Sequence, residues 1–496
     1  CVCEGPINLQ DGNKMTFEKE RYKGDIVVPE ETTITLNQKP QKIKIAGITG
    51  SFYKGAQDVT AITLPNSIKQ IETNTFLGCN SLEKIVLGNA TTLIGGEAFN
   101  GCTSLKTVTY NGCIYQNGFN LPSTLLTLGG SAFANCKALT GTITLPNSIT
   151  KMEGNIFREC TGINKIAFSE NFKISEIPAY FCYGCTGLQS ISYSHAITSI
   201  GINAFEGCTN LYLNGTLSLG KDLETLGDGA FKNTGFKELN LSSTKLTAIP
   251  TNAFAECANL VNITWQGAIT EIGNMAFYNC GTLGAGVSLL DLPKGLEKIG
   301  NKAFESCVSL TSVNFNGTKL STIGKLAFAN CTSLLSPKFK EGLTDIGEQA
   351  FYKCEALTRI DLPATVKNVR KEAFRYCSSL TEGSCYNKRV TIIDGEVFDS
   401  TDEPLEIGDG NFRDTPLTVF EVIERNTPIS RSADNRGGII LGNEVFRDCK
   451  NLISMPEHVI SVGNNAFENC SALTEGYIPD GMKSVPAYLF RYAENL

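Results

Sequence analysis

Three groups of residues in this sequence could do chemistry. Its 496 residues include 19 cysteines and 2 histidines. Cys182 and Cys185 form a lone C-x-x-C pair, a spacing found in redox and metal sites. The glycines of GTLGAG, residues 281–286, lack the third glycine and the strand–helix–strand setting of a dinucleotide-binding loop. His195 and His458 lie far apart, and we expect both in surface or turn positions.

These residues do not predict an enzyme. The sequence contains no G-x-S-x-G, Walker A or H-E-x-x-H motif. Its carboxylates are scattered, and the sequence alone pairs no two of them. We therefore predict no catalytic residues, no metal ligands and no cofactor, and the cysteines need another role.

The cysteines share one position in an internal repeat. Nineteen phenylalanines from Phe52 to Phe490 recur mostly at steps of 23 or 24 residues. At thirteen of them a cysteine follows three positions later, and a leucine or isoleucine follows three positions after that. A period of about 20–29 residues is typical of a leucine-rich solenoid. The chain is also longer than one ordinary core can support, which favours several domains or a repeat array.

The repeat from Phe351 to Phe374 shows the local structure that the sequence predicts. In EQAFYKC, Phe351 and Cys354 have helix-like spacing, which predicts a short helical turn. LTRIDLP alternates apolar and polar residues and stops at Pro363, which predicts a short strand. TVKNV then turns the chain back. One coil cannot bury these apolar residues, so we predict a repeat solenoid of the α/β class, with one short parallel strand and one short helical turn per repeat.

Stacking of equivalent residues predicts a buried column of free cysteines. Successive coils lie about 4.8 Å apart and equivalent side chains point the same way, whereas a disulfide needs converging Cβ atoms. A disulfide framework is the alternative that the cysteine count raises. Cys185 is the column cysteine displaced by one residue, so we interpret Cys182 and Cys185 as structural. Cys385 should also be buried, and Cys113, in an insertion, should be the most exposed thiol.

The repeat resembles a known family. Its consensus I-G-x-x-A-F-x-x-C-x-x-L-x-x-I-x-L-P is seen in IGNKAFESCVSLTSVNF (299–315) and IGEQAFYKCEALTRIDLP (346–363), and it is similar to the BspA-like class of leucine-rich repeat. The resemblance extends over roughly residues 46–496. It implies a right-handed superhelix with parallel strands on one face. It also implies a cell-surface or secreted protein, of bacteria or some protist parasites, that is associated with adhesion.

Composition and charge limit the partners and the organisation of the chain. A net charge of -7 and a pI of about 5.3 argue against a nucleic-acid partner. No apolar run approaches the roughly 18 residues of a membrane span. We predict an N-terminal cap, or the tail of a preceding segment, at 1–45, and an array of about 19 repeats at 46–496 whose last repeat is incomplete. Cys1 could carry a lipid anchor.

The predicted function is binding at the cell surface or outside the cell, with a structural spacer or stalk as the alternative. The expected partner is a macromolecule, a host or cell-surface protein, with a glycan as the second option. Insertions at 111–120, 281–291 and 423–438 should form loops, which in solenoids often lie on a binding face, although 281–291 could simply widen one coil.

Candidate partner-binding residues lie between the inward-facing residues of the strands and in the last insertion. Aromatic residues are sparse on the predicted strand face, which does not favour a stacking platform for sugars, and we expect Trp265, the single tryptophan, in the core. The candidates are Lys84, Lys106, Lys165, Arg359, Asp361 and Tyr477 on or beside strands, and Arg425, Arg431 and Arg436 in the insertion.

Overall fold

The protein consists of short strands joined by turns. The computed structural model describes residues 8–10, 14–16, 24–36, 39–45, 47–48, 53–114, 117–169, 171–192, 194, 196–315, 317–386, 391–393, 396–398, 405–423 and 438–496. These residues form two compact units, one within Cys1–Phe236 and Ser243–Lys245 and one within Lys237–Ser242 and Leu246–Leu496. None of the described residues forms a helix, and so none forms one that could cross a bilayer.

All strands are two to six residues long, as expected for a chain that changes direction several times in each repeat. The strands of the first unit are β1 (Asn8–Gln10), β2 (Lys14–Thr16), β3 (Gly24–Val27), β4 (Glu31–Leu36), β5 (Lys39–Lys44), β6 (Gly47–Ile48), β7 (Val59–Thr63), β8 (Gln70–Ile71), β9 (Lys84–Leu87), β10 (Leu93–Ile94), β11 (Thr107–Tyr110), β12 (Thr127–Leu128), β13 (Gly141–Leu145), β14 (Lys151–Met152), β15 (Ile163–Phe168), β16 (Glu176–Ile177), β17 (Ser190–Ser192), β18 (Ser199–Ile200), β19 (Thr216–Ser218) and β20 (Thr225–Leu226). Those of the second unit are β21 (Glu238–Asn240), β22 (Ala248–Ile249), β23 (Asn262–Thr264), β24 (Glu271–Ile272), β25 (Leu290–Asp291), β26 (Lys298–Ile299), β27 (Val313–Asn314), β28 (Thr322–Ile323), β29 (Asp345–Ile346), β30 (Arg359–Asp361), β31 (Asn368–Val369), β32 (Glu382–Tyr386), β33 (Thr391–Ile393), β34 (Glu396–Phe398), β35 (Leu405–Ile407), β36 (Val419–Ile423), β37 (Ile439–Leu441) and β38 (Val459–Val462).

A typical coil contributes two parallel strands, where the sequence predicted one. The predicted strand is present as β30, which pairs in parallel with β32. The segment TVKNV, expected only to turn the chain back, contains β31, which belongs to a nine-stranded sheet in the order β22-β24-β26-β28-β29-β31-β35-β37-β38. Within it Val369 aligns with Ile346 of the preceding coil, and both side chains are buried. Equivalent residues of successive coils are therefore in register, which confirms the solenoid.

The prediction of a helical turn is wrong, because alternate N–H groups of this segment form hydrogen bonds within the coil and with the next coil. In EQAFYKC the N–H groups of Ala350, Tyr352 and Cys354 donate three residues back within the coil, over 3.1–3.2 Å. The alternate N–H groups, of Gln349, Phe351 and Lys353, donate instead to carbonyls of the next coil. Gln349 and Lys353 have φ angles of 56° and 58°, in the left-handed region that interrupts a helix. The segment is a run of turns bonded to the neighbouring coil.

The core is a stack of phenylalanine rings. In the first unit Phe76 and Phe99 lie with ring centroids 5.1 Å apart and planes inclined by 14°. In the second unit Phe304 and Phe328 lie 5.2 Å apart and inclined by 5°. All four rings are at most 1% exposed. The regular phenylalanine steps in the sequence therefore become regular ring contacts, which explains why the spacing is so well kept.

The cysteine column is confirmed. Every cysteine of the described residues, seventeen in all, is a buried free thiol. Most thiols of the column donate to the carbonyl of the phenylalanine one coil earlier, as Cys102 does to Phe76 at 3.2 Å and Cys377 to Phe351 at 3.2 Å, while Cys79 donates to Tyr53 and Cys208 to Cys182. Cys182 and Cys185 are buried, and Cys185 donates to Phe157 at 2.9 Å, so their structural interpretation is also confirmed.

Two further expectations concern single cysteines. Cys385 is 1% exposed, as predicted. Cys113, predicted to be the most exposed thiol, has the largest exposed fraction of the described cysteines, but at 7% it is still buried. It is buried because the insertion folds back onto the coil: the N–H of Cys113 donates to Tyr110, and the N–H of Val108 donates to Gly118 farther along the insertion.

Candidate binding surfaces

The lysines predicted as binding residues lie on or directly beside two sheets of the first unit. Lys84 begins β9 and is half-buried, and Lys106 precedes the neighbouring strand β11. The ammonium group of Lys106 lies 3.1 Å from the carboxylate of Glu83. Lys165 lies on β15, in a different sheet. Lys84 and Lys106 are thus neighbours, while Lys165 belongs to a separate stretch of surface.

Arg359 and Asp361 form a charged cluster with the next strand. The guanidinium of Arg359 contacts Asp361 at 2.9 Å and Glu382, on β32, at 2.6 Å. Ser384 donates to the same carboxylate of Asp361 at 2.6 Å. Burial acts to raise the pKa of Asp361, but the hydrogen bonds from Arg359 and Ser384 outweigh it, and the pKa is lowered. The hydrogen bond to Asp361, with that to Glu382, raises the pKa of Arg359. We call Arg359, Asp361 and Glu382 the strand-face cluster.

Tyr477 is partly a structural residue. Its hydroxyl donates to the carbonyl of Pro456 at 3.0 Å and accepts from the N–H of Val459 at 2.9 Å. Burial raises its pKa. The side chain is still 39% exposed, so its ring, but not its hydroxyl, is available to a partner.

The remaining predicted surfaces have different outcomes. Arg425, Arg431 and Arg436 lie outside the described residues. In the insertion 111–120, Ile114 is 84% exposed, as a loop residue would be, but Phe119 is 5% exposed and packs edge-on against Phe133 and Phe157. Part of this insertion therefore belongs to the core.

The insertion 281–291 widens one coil and leaves a hollow of about 650 Å³ beside it. The hollow is lined by residues 262–267 of one coil, by Val287, Leu289 and residues 291–294 of the next, and by Asn314 of a third. All of them belong to the second unit. We call this space the Trp265 hollow.

Trp265 was predicted as a core residue, and the structure places it at the edge of the core. The indole is half-buried, and its ring lies 5.7 Å from that of Phe277 at an angle of 84°. Its Nε1–H donates to the backbone carbonyl of Asp291 at 2.7 Å. The side chain of Asn314 donates to the carboxylate of Asp291 at 2.6 Å. The widened coil thus fixes both the tryptophan and the polar rim beside it.

A metal-binding cluster is not assembled within the described part of the chain, where no three His, Cys, Asp or Glu side chains lie together in a way that could hold a metal ion. Burial raises the pKa of the column thiols, to about 12 for Cys307 and Cys377, so these thiols stay protonated at neutral pH. His458 is an exposed turn residue, as expected, and His195 lies outside the described residues.

Three solved leucine-rich repeat or antigen structures are similar to this chain. A leucine-rich repeat protein from Bacteroides ovatus is 22% identical, with 93% of this chain and 97% of that chain covered and a TM-score of 0.58. A leucine-rich cell surface protein from Faecalibacterium prausnitzii is 21% identical over 76% of this chain and 92% of its own, with a TM-score of 0.44. The pneumococcal vaccine antigen PcpA is 18% identical over 85% and 96%, with a TM-score of 0.41.

Family assignment rests on the sequence repeats. No curated protein matches the chain. Residues 47–118, 109–214, 175–285, 297–407 and 406–496 match the family described as BspA type leucine rich repeat region (6 copies). Proteins built from such repeats are typically surface proteins that bind macromolecules. The matched ranges span most of the sequence and contain the phenylalanine and cysteine columns seen in the fold, so the chain belongs to the BspA-type leucine-rich repeat family.

Proposed function

We propose that the chain is a non-enzymatic cell-surface or secreted binding protein that recognises a protein partner through its strand face and its inserted loops. The observation that supports this most is the strand-face cluster. Arg359, Asp361 and Glu382 are 41%, 54% and 56% exposed, yet they are held in place by hydrogen bonds between two paired strands. Binding through side chains that are already ordered loses little conformational entropy, and arginine is enriched among residues that dominate interfaces.

The charge of the cluster indicates the kind of partner. It contains two carboxylates and one guanidinium, and the whole chain has a net charge of -7. The partner should therefore present basic side chains, and its association should become slower as ionic strength rises. The family supports a surface location, since proteins built from such repeats are typically surface proteins, and a similar structure from Faecalibacterium prausnitzii is described as a cell surface protein. Arg425, Arg431 and Arg436 remain a sequence-based part of this proposal.

The test is binding of the folded array to immobilised extracellular-matrix proteins and mucin, measured by biolayer interferometry at low and physiological salt. Asp361→Asn with Glu382→Gln, and separately Arg359→Ala, should weaken capture of the partner at least about tenfold, an effect of the size seen at interface hot spots. A second variant replaces Arg425, Arg431 and Arg436 by alanine.

The matched control is Glu271→Gln. Glu271 lies on β24, in the other sheet, where its carboxylate is 2.8 Å from Lys298. This variant removes one exposed paired carboxylate but should leave capture unchanged. If no protein on the panel binds, or if the cluster and loop variants bind as well as the parent, the chain acts as a spacer and the proposal fails.

A further inference from the structure

We propose that the Trp265 hollow is a carbohydrate-binding site that holds one or two neutral sugar residues at the end of a glycan. This site is separate from the strand-face cluster, and it needs no protein partner. Four features support it: the tryptophan, the polar rim, the balance of charge and the way in which the coil is widened.

The tryptophan offers an apolar surface. Its only polar atom, Nε1, is occupied by the carbonyl of Asp291 at 2.7 Å, so the ring can present only carbon and hydrogen to the hollow. The buried ring of Phe277 supports it from the core. Sugars have apolar faces made of C–H groups, and these pack on a fixed aromatic ring. Tryptophan is the aromatic side chain with the largest surface for this purpose.

The rim offers paired hydrogen-bonding groups. Asp291 on β25 and Asn314 on β27 are direct partners in the register of these two paired strands. Their side chains are joined by a 2.6 Å hydrogen bond. Together they place acceptor oxygens beside amide donors, which is the combination that adjacent sugar hydroxyls require. Asn262, on β23, lines the same hollow. Gln266 is already used, since its side-chain oxygen accepts from the N–H of Ala268 at 2.7 Å.

The charge of the hollow favours a neutral ligand. Its lining contains one carboxylate, Asp291, and one ammonium group, Lys294. A nucleotide could also stack on tryptophan, but its phosphates would need a concentration of basic groups that this lining does not contain. A volume of about 650 Å³ lies in the range of small-ligand sites, and it suits one or two sugar rings.

The hollow is a product of the insertion. The step from Phe277 to Phe304 is 27 residues, against 23 and 24 for the steps on either side. The extra residues turn at Gly284 and Gly286, whose φ angles of 89° and 72° favour glycine. Leu290 then returns to register by donating to Ser312 at 3.0 Å. Val287 and the 41%-exposed Leu289 form one wall as a result.

Because Trp265 is the only tryptophan, its fluorescence reports on this hollow alone. Excitation of the indole during titration with galactose, glucose, mannose, fucose, N-acetylglucosamine, N-acetylgalactosamine and their β-linked disaccharides should give a saturable change with at least one sugar. Saturation-transfer NMR should detect the same sugar without relying on fluorescence. Asp291→Ala and Asn262→Ala should each weaken its binding at least about fivefold, as expected for the loss of one hydrogen bond.

Trp265→Ala should abolish the NMR transfer. Since that variant also changes the edge of the core, Trp265→Phe is the second arm: it keeps an aromatic ring and should retain weaker binding. Arg359→Ala, in the strand-face cluster, should leave sugar binding unchanged, so loss of the protein partner and loss of the sugar are read separately. Absence of any saturable sugar, binding that survives Trp265→Ala, or preference for inorganic phosphate or an apolar tetrapeptide over every sugar would overturn the proposal.

Discussion

The thiol of Cys354 donates a hydrogen bond of 3.2 Å to the backbone carbonyl of Phe328, which lies one coil earlier in the stack. The same carbonyl accepts the N–H of Cys331 within its own coil, also at 3.2 Å. A cysteine at this position therefore does two things: it fills a small apolar space, and it donates a second hydrogen bond to a buried carbonyl of the neighbouring coil. This explains why the repeat selects cysteine rather than alanine.

Threonine should be the best replacement for this cysteine. Among the described residues two coils carry threonine at the equivalent position, and Thr234 and Thr415 each donate at 2.7 Å to the carbonyl of the phenylalanine three residues earlier in their own coil. Cys354→Thr should reduce the free energy of unfolding by about 1 kcal/mol, because the bond to Phe328 is lost but the hydroxyl can donate to Phe351 in its own coil, as Thr234 does to Phe231. Cys354→Leu should cost more, about 1–3 kcal/mol, because Cys354 is 0% exposed and no space exists for the added atoms. Urea unfolding followed by circular dichroism measures both, and equal losses would contradict the role given to the donor.

The stability of the stack should fall in alkaline solution. Burial raises the pKa of Cys307, Cys377 and Cys449 to about 12. In the unfolded chain a thiol ionises near pH 8.5, so between about pH 8.5 and 12 the unfolded state loses protons that the native state keeps. The thiol contribution to stability is fully present below about pH 8.5. Above it, each buried thiol should lower the free energy of unfolding by up to about 1.4 kcal/mol per pH unit.

Urea midpoints from pH 7 to 10.5, measured in the presence of a phosphine reductant, test this dependence. Cys377→Thr removes one such thiol, and it should reduce the slope of unfolding free energy against pH by roughly that amount. A midpoint that is constant across this range, or a slope unaffected by the substitution, would show that the thiols are not buried as described.

Phe119 should behave as a core residue although it lies in an insertion. It is 5% exposed and contacts two rings of the phenylalanine stack. Phe119→Ala should cost about 3–5 kcal/mol through the cavity it leaves. The control in the same insertion, Ile114→Ala, changes a side chain that is 84% exposed and should shift stability by less than about 0.5 kcal/mol. Similar effects of the two substitutions would mean that the whole insertion is a surface loop.

The sequence predicted the features that repeat and missed those that depend on one coil meeting another. Phe351 and Cys354 could be placed in the core because their spacing recurs along the chain. The two-residue strand β31 could not be recognised, since two residues show no alternation and their partners lie in the coils on either side. The turns in place of a helix were missed for the same reason: Phe351 donates to Ala373, and nothing local reveals this bond.

Single departures from the repeat were also difficult to predict. Trp265 lies eleven residues after Phe254, the position at which Leu362 and Cys385 are buried in other coils. Its indole reaches the surface because the following coil is widened. The length of the insertion indicates that the coil is wider, but it does not show where along the coil the extra space opens. The reason why the consensus has a glycine is visible only in the structure, because a Cβ on Gly347 would lie 2.5 Å from a backbone carbon of Gly324 in the preceding coil.

Coils that stack in register must hold their free thiols inside, and a thiol count tests this directly. The sequence has 19 cysteines. Seventeen of them are buried and free in the part of the chain that the structure describes. In a DTNB assay without reductant, at most the cysteines outside these seventeen should react rapidly in the native protein. In guanidinium all 19 cysteines should react. Rapid native reaction of most thiols, or a denatured count far below the total because disulfides are present, would contradict the account.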